Sequence, residues 1–144
     1  MIQPMPIRPL TDRHAVSPQI EPEDVPVLAA EGVTAILCNR PDGEVPAGLR
    51  AADLRAAAEA AGLAFAELPA HHAEIGPELA ARQRAEVARL STEGSGTVLA
   101  YCASGTRCTI LWALGEAGHM PEEEIIANAA AAGYDLGGLR GRLG

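Results

Sequence analysis

The sequence contains no lysine: all eleven of its basic residues are arginine. That absence excludes Schiff-base chemistry and any mechanism that grips a phosphate with a lysine. Aromatic residues make up only 3% of the chain, so a core has to be built from Ala, Leu, Val and Ile, which suits helices packed on a sheet better than a β-sandwich. Cysteine is sparse and odd in number, three in all, which argues against a disulfide framework and leaves reactivity as the expected role of at least one. No apolar run approaches the ~20 residues of a membrane span. The first residues also lack the charged-then-apolar order of a secretory signal. No membrane partner is therefore expected, and the cytoplasm is the expected location. A net charge of -8 speaks against a nucleic acid partner and requires any anionic substrate to meet a local positive site.

What is present fits one domain over residues 1–144, with 48% apolar residues to fill one core. After a Pro-rich start, Ile7 to Leu10 and His14 to Ser17 read as short β-segments around a Thr11-Asp12-Arg13 turn, closing one side of a sheet. Pro22, with Glu21, Glu23 and Asp24, opens a helix that Gly32 stops, and Pro26 is expected to delay or bend its first turn. Val33 to Cys38 is a strand buried on both faces, followed by the loop Asn39 to Glu44. A helix over Leu49 to Ala61, a strand over Leu63 to Leu68, a loop holding His71 and His72, and an amphipathic helix over Pro77 to Leu90 follow. Thr97 to Tyr101 gives another core strand, leading into a helix with Leu111, Trp112 and Leu114 that Gly118 ends. Two last helices are expected, one opened by Pro121 and Glu122, the other over Leu136 to Leu143.

Alternation of strands and helices implies an α/β fold with a mostly parallel central sheet flanked by helices. Ligands in such sheets bind beyond the carboxyl ends of the strands, so Cys38 to Glu44, Pro69 to Glu74 and Cys102 to Arg107 are expected to share one end.

Cys102-Ala103-Ser104-Gly105-Thr106-Arg107 stands between a buried strand and a helix. Its small residues let successive N–H groups turn inward, Gly105 permits a positive φ, and the helix adds its positive end, which together make an oxyanion nest. A cysteine at the head of that nest is expected to ionise early, with Arg107 favouring the thiolate and able to grip two oxygens of an anion.

Taken with Ser17-Pro18-Gln19-Ile20, Asn39-Arg40-Pro41-Asp42-Gly43-Glu44, Leu111-Trp112-Ala113-Leu114 and Ala132-Gly133-Tyr134-Asp135-Leu136, this loop resembles the bacterial beta-lactamase hydrolase-like protein family, phosphatase-like domain. The resemblance spans nearly the whole chain. It implies a dual-specificity-phosphatase-like (cysteine phosphatase) fold with Cys102 as nucleophile and Arg107 as anion ligand. It also implies members that stand alone or are fused to metallo-hydrolase domains, described both as phosphatases and as sulfur transferases. Three departures bear on the chemistry. Cys108 stands where serine is expected, Tyr101 where a phosphatase has histidine, and only four residues separate Cys102 from Arg107, one fewer than in a phosphatase signature.

The tighter, rhodanese-like loop points to a sulfurtransferase in which Cys102 takes sulfur from a sulfane-sulfur donor as a persulfide and passes it to a thiol acceptor. Phosphomonoester hydrolysis through a phosphocysteine is the alternative, and a non-catalytic redox or oxyanion sensor the second. In each case Ala103, Ser104, Gly105 and Thr106 line the anion, and Arg40 is read as either a loop anchor or a substrate ligand. Cys108, Asp42 and His72 are accessory candidates, as core filler or sulfur acceptor, turn residue or acid, and solvated side chain or acid respectively. The substrate class is a small anion or persulfide, and neither cofactor nor metal is expected.

Overall fold

A computed structural model describes residues 7–92 and 96–143. The Pro-rich start lies outside the described residues. The elements in chain order are β1 (Arg8–Pro9), β2 (His14–Ser17), α1 (Val25–Ala30), β3 (Val33–Cys38), α2 (Ala51–Ala60), β4 (Ala64–Glu67), α3 (Pro77–Thr92), β5 (Thr97–Tyr101), α4 (Thr106–Glu116) and α5 (Glu122–Ala131). The strands form one sheet in the order β1-β2-β5-β3-β4. β1 is antiparallel to β2 and every other pairing is parallel.

The register sets up the site. Ser17 pairs with Tyr101, Tyr101 with Cys38, and Cys38 with Glu67, so four parallel strands end in one row. Period-two alternation then divides the core. Val16, Leu37, Val98, Ala100 and Cys102 face the side carrying Leu79, Leu111 and Ile125 of α3, α4 and α5. Ala15, Ile36, Cys38, Leu99 and Tyr101 face the side carrying Leu28 and Leu54 of α1 and α2.

Local chemistry accounts for the helix starts. Pro22 to Asp24 form a 3-10 turn closed by the Glu21 amide donating to Asp24 Oδ2 at 2.8 Å, and α1 begins one residue before Pro26. The missing N–H of Pro26 falls in the first turn, where no carbonyl needs it. The expectation for residues 136–143 is corrected: only Gly137–Leu139 turns, as a single 3-10 turn. Gly137, Gly138 and Gly141 raise the backbone entropy cost of a helix there, and Gly141 adopts φ 89°. No helix among the described residues is long and apolar enough to cross a membrane.

Candidate active site

Beyond the row of strand ends, the chain leaves β5 at Tyr101 and enters α4 at Thr106, so the intervening residues must reverse within one short loop. Gly105 makes this feasible by adopting φ 92°. A side chain here would also collide with the Tyr134 hydroxyl, which donates to the Ser104 carbonyl at 2.9 Å and holds the loop from outside. The amide of Gln19, just past β2, secures the other flank by donating to the Ala103 carbonyl at 3.2 Å. From the helix side, the Thr109 hydroxyl donates to the Gly105 carbonyl at 2.8 Å.

With its carbonyls held outward, the loop turns its donors inward. The Gly105 amide reaches Cys102 Sγ at 3.2 Å, joined by the Arg107 and Cys108 amides and by the Cys108 thiol. The Cys108 hydrogen bond and these amides outweigh burial and bring the Cys102 thiol down to about 5. Burial and the adjoining Cys102 push the Cys108 thiol well up, so it serves as the protonated donor. The result is a thiolate recessed at 1% exposure, under a rim where Ala103, Ser104 and Thr106 are exposed and the Ser104 and Thr106 hydroxyls bond each other at 2.9 Å.

Arg107 is buried beside the sulfur and oriented by a carboxylate. Its Nη1 and Nη2 fork onto Glu44 at 2.9 and 2.7 Å, and Nη1 also donates to the Ala70 carbonyl at 2.8 Å. Glu44 in turn stays below the usual carboxylate range, chiefly through the Arg107 hydrogen bonds. The three loops expected to converge therefore do so, with Glu44 after β3, Ala70 after β4 and Arg107 after β5.

The remaining candidates sort by position. Arg40 Nη1 donates to Gln19 Oε1 at 3.1 Å and Nη2 to the Glu44 carbonyl at 3.2 Å, so it braces the loop that carries Glu44. Asp42 Oδ1 accepts the Ala51 amide at 2.8 Å and caps α2, which commits that carboxylate to the helix end. His71 and His72 are exposed, directly after Ala70. Cys38 lies among the core residues of the opposite sheet face from Cys102 and Cys108. Among the described residues no group of three His, Cys, Asp or Glu side chains could hold a metal.

Sequence reasoning passed over Glu44, Tyr134, Gln19 and the Asn39–Gln83 pair. Gln19, Asn39 and Glu44 stand in the segments that follow β2 and β3, where a polar residue just beyond a strand end was the available signal, whereas Tyr134 follows α5 and Gln83 sits within α3, where nothing local marks them. The partners are far off in the chain: Arg107 and Glu44 are 63 positions apart.

A level row of parallel strand ends, a thiolate in a ring of amides and an arginine forked onto a carboxylate define a cysteine-phosphatase-like α/β protein. The chain belongs to the beta-lactamase hydrolase-like protein, phosphatase-like domain family, whose profile matches residues 6–119. A beta-lactamase hydrolase-like protein of Xylella fastidiosa (strain Temecula1) is 38% identical over 136 residues, 92% of this chain and 30% of that protein. The chain thus spans about a third of that relative's length. The crystal structure of a phosphatase-like protein from Neisseria meningitidis superposes with a TM-score of 0.81 at 35% identity, covering 97% of each chain. The core catalytic domain of a PP-IP phosphatase from S. cerevisiae, in complex with citrate, shares the fold alone. Its TM-score is 0.64 at 14% identity, over 92% of this chain and 78% of that one.

Proposed function

We propose that the chain is a cysteine-dependent hydrolase of phosphatase type acting on a small phosphomonoester. The observation that carries this reading is the Cys102 thiolate beneath inward amides with Arg107 alongside. Such a ring can take the three equatorial oxygens of a phosphoryl group while the sulfur attacks phosphorus. The S–P bond forms as the ester P–O bond breaks, and the alkoxide leaves with a proton. Water then cleaves the S–P bond, releasing phosphate and restoring the thiolate. The 71–74 segment supplies candidates for the leaving-group proton, because His71 follows the residue whose carbonyl binds Arg107. Family membership and the phosphatase-like Neisseria relative support this reading over the sulfur transfer expected from loop length, and the citrate held by the yeast relative suits a small anionic substrate.

Persulfide transfer is kept as a second reading on one observation: the ring has only four residues between Cys102 and Arg107, a tighter cradle that suits a single sulfur. Aryl phosphate turnover separates the two. Vanadate-sensitive hydrolysis that disappears in Cys102→Ser is the expected result. No hydrolysis, together with a gain of about 32 Da on Cys102 after thiosulfate as exchange at an activated thiolate requires, would establish sulfur transfer instead.

A further inference from the structure

A second feature lies at the other end of the sheet. His14 opens β2 opposite Val98 in β5, four residues before Cys102 and therefore about 13 Å from the nest at the usual strand rise. Its side chain is only 4% exposed. Nδ1 lies 3.0 Å from the Val98 carbonyl, which can only accept, so Nδ1 carries the proton and Nε2 is left with a lone pair. Nε2 is buried and has no partner among the described residues. Burial also lowers the imidazole to about 4, which keeps the ring neutral at physiological pH. Buried acceptors without partners are uncommon and costly.

The same histidine lines a half-open cavity of about 190 Å³. Trp112, Val87 and Ala88 supply apolar wall, and Arg84 and Glu116 contribute to the lining and pair with each other at 3.6 Å across α3 and α4. A cavity of roughly 150 Å³ already holds one benzene ring. An unprotonated nitrogen offers nothing to the oxygens of an anion and requires a donor.

We infer that this cavity is a binding site for a small monocyclic aromatic molecule bearing one O–H or N–H donor, with the ring against Trp112 and the donor on His14 Nε2. The site is independent of the nest and of the phosphatase reading.

Phenol and toluene test it on the full chain by calorimetric titration. A wholly apolar cavity binds toluene more tightly, because phenol gives up hydrogen bonds to water and recovers none. A cavity holding an unsatisfied acceptor reverses the order. The expected result is saturable phenol binding about tenfold or more tighter than toluene, the scale of satisfying one buried acceptor. His14 Nε2 should also shift in the nitrogen NMR spectrum with phenol and stay in place with toluene. His14→Leu should restore the preference for toluene, and the wild-type comparison stands alone if that variant does not fold. Toluene binding equal to or tighter than phenol, or no saturable binding of phenol, overturns the inference.

Discussion

Cys102 ionises early because several donors converge on its sulfur and outweigh the opposing effect of burial. The strongest of them is the Cys108 thiol, and its side chain is fully buried on the same sheet face. Cys108 thus does the work expected of the serine that the family resemblance places there: it donates to the anion. The rate of Cys102 alkylation against pH should inflect near 5, far below the ~8.5 of a free thiol. Cys108→Ala should move the inflection up by removing that donor, and Cys108→Ser should bring it most of the way back, since a hydroxyl also donates. An inflection at the free-thiol value in the wild-type protein would falsify the assignment of Cys102 as a preformed thiolate. Arg107 follows the same logic at its own position, since the Glu44 fork fixes the plane of the guanidinium before any anion arrives.

At the level of elements, the site is where the ends of β3, β4 and β5 are tied together. Asn39 is the central knot. Its side-chain Nδ2 donates to the Leu68 carbonyl and to Gln83 Oε1 of α3, both at 2.8 Å, and its Oδ1 accepts from Gln83 Nε2 at 2.7 Å. Its carbonyl accepts the amide of Ala70, the residue that holds Arg107. Gln83 is 1% exposed, so neither partner can turn to water if the other is lost. Gln83→Leu should therefore cost about 1–3 kcal/mol, the penalty of leaving a buried amide unsatisfied, and lower the melting temperature by several degrees. Asn39→Leu combined with Gln83→Leu should cost less than the sum of the two single changes. A melting temperature unchanged within a degree in Gln83→Leu would show that the pair is not holding these loops together.

Across the whole molecule, two buried groups make stability depend on pH in the same direction. His14 takes its proton near 4 in the folded protein and near 6.5 when unfolded. As pH falls from about 6.5 towards 4 the unfolded chain binds the proton first, so stability is lost over that window, by roughly 3 kcal/mol in full. Cys102 loses its proton near 5 when folded and near 8.5 when unfolded, so its contribution is complete only above the higher value and is lost as pH falls through 5. Urea midpoints should therefore rise steadily from pH 4.5 to pH 7, and Cys102→Ser should reduce the slope without abolishing it. A midpoint independent of pH over that range would mean that His14 does not stay neutral in the folded chain. The sequence by itself determined the strands β2, β3 and β5 and the anion-cradling loop, since β-branched runs, Gly105 and the Cys102–Arg107 spacing act within a few residues of chain. It overstated the helix at 136–143, where three glycines outweighed the apolar spacing, and it placed sulfur transfer ahead of phosphate hydrolysis on loop length alone, whereas the family and the phosphatase-like Neisseria structure favour the phosphatase alternative. Only the tertiary structure decided that Glu44 orients Arg107, that Cys108 and not Cys38 stands beside the nucleophile, and that Asp42 caps a helix. Those outcomes depend on strand register and on which face of the sheet each side chain takes, and both are fixed by packing between residues far apart in the chain.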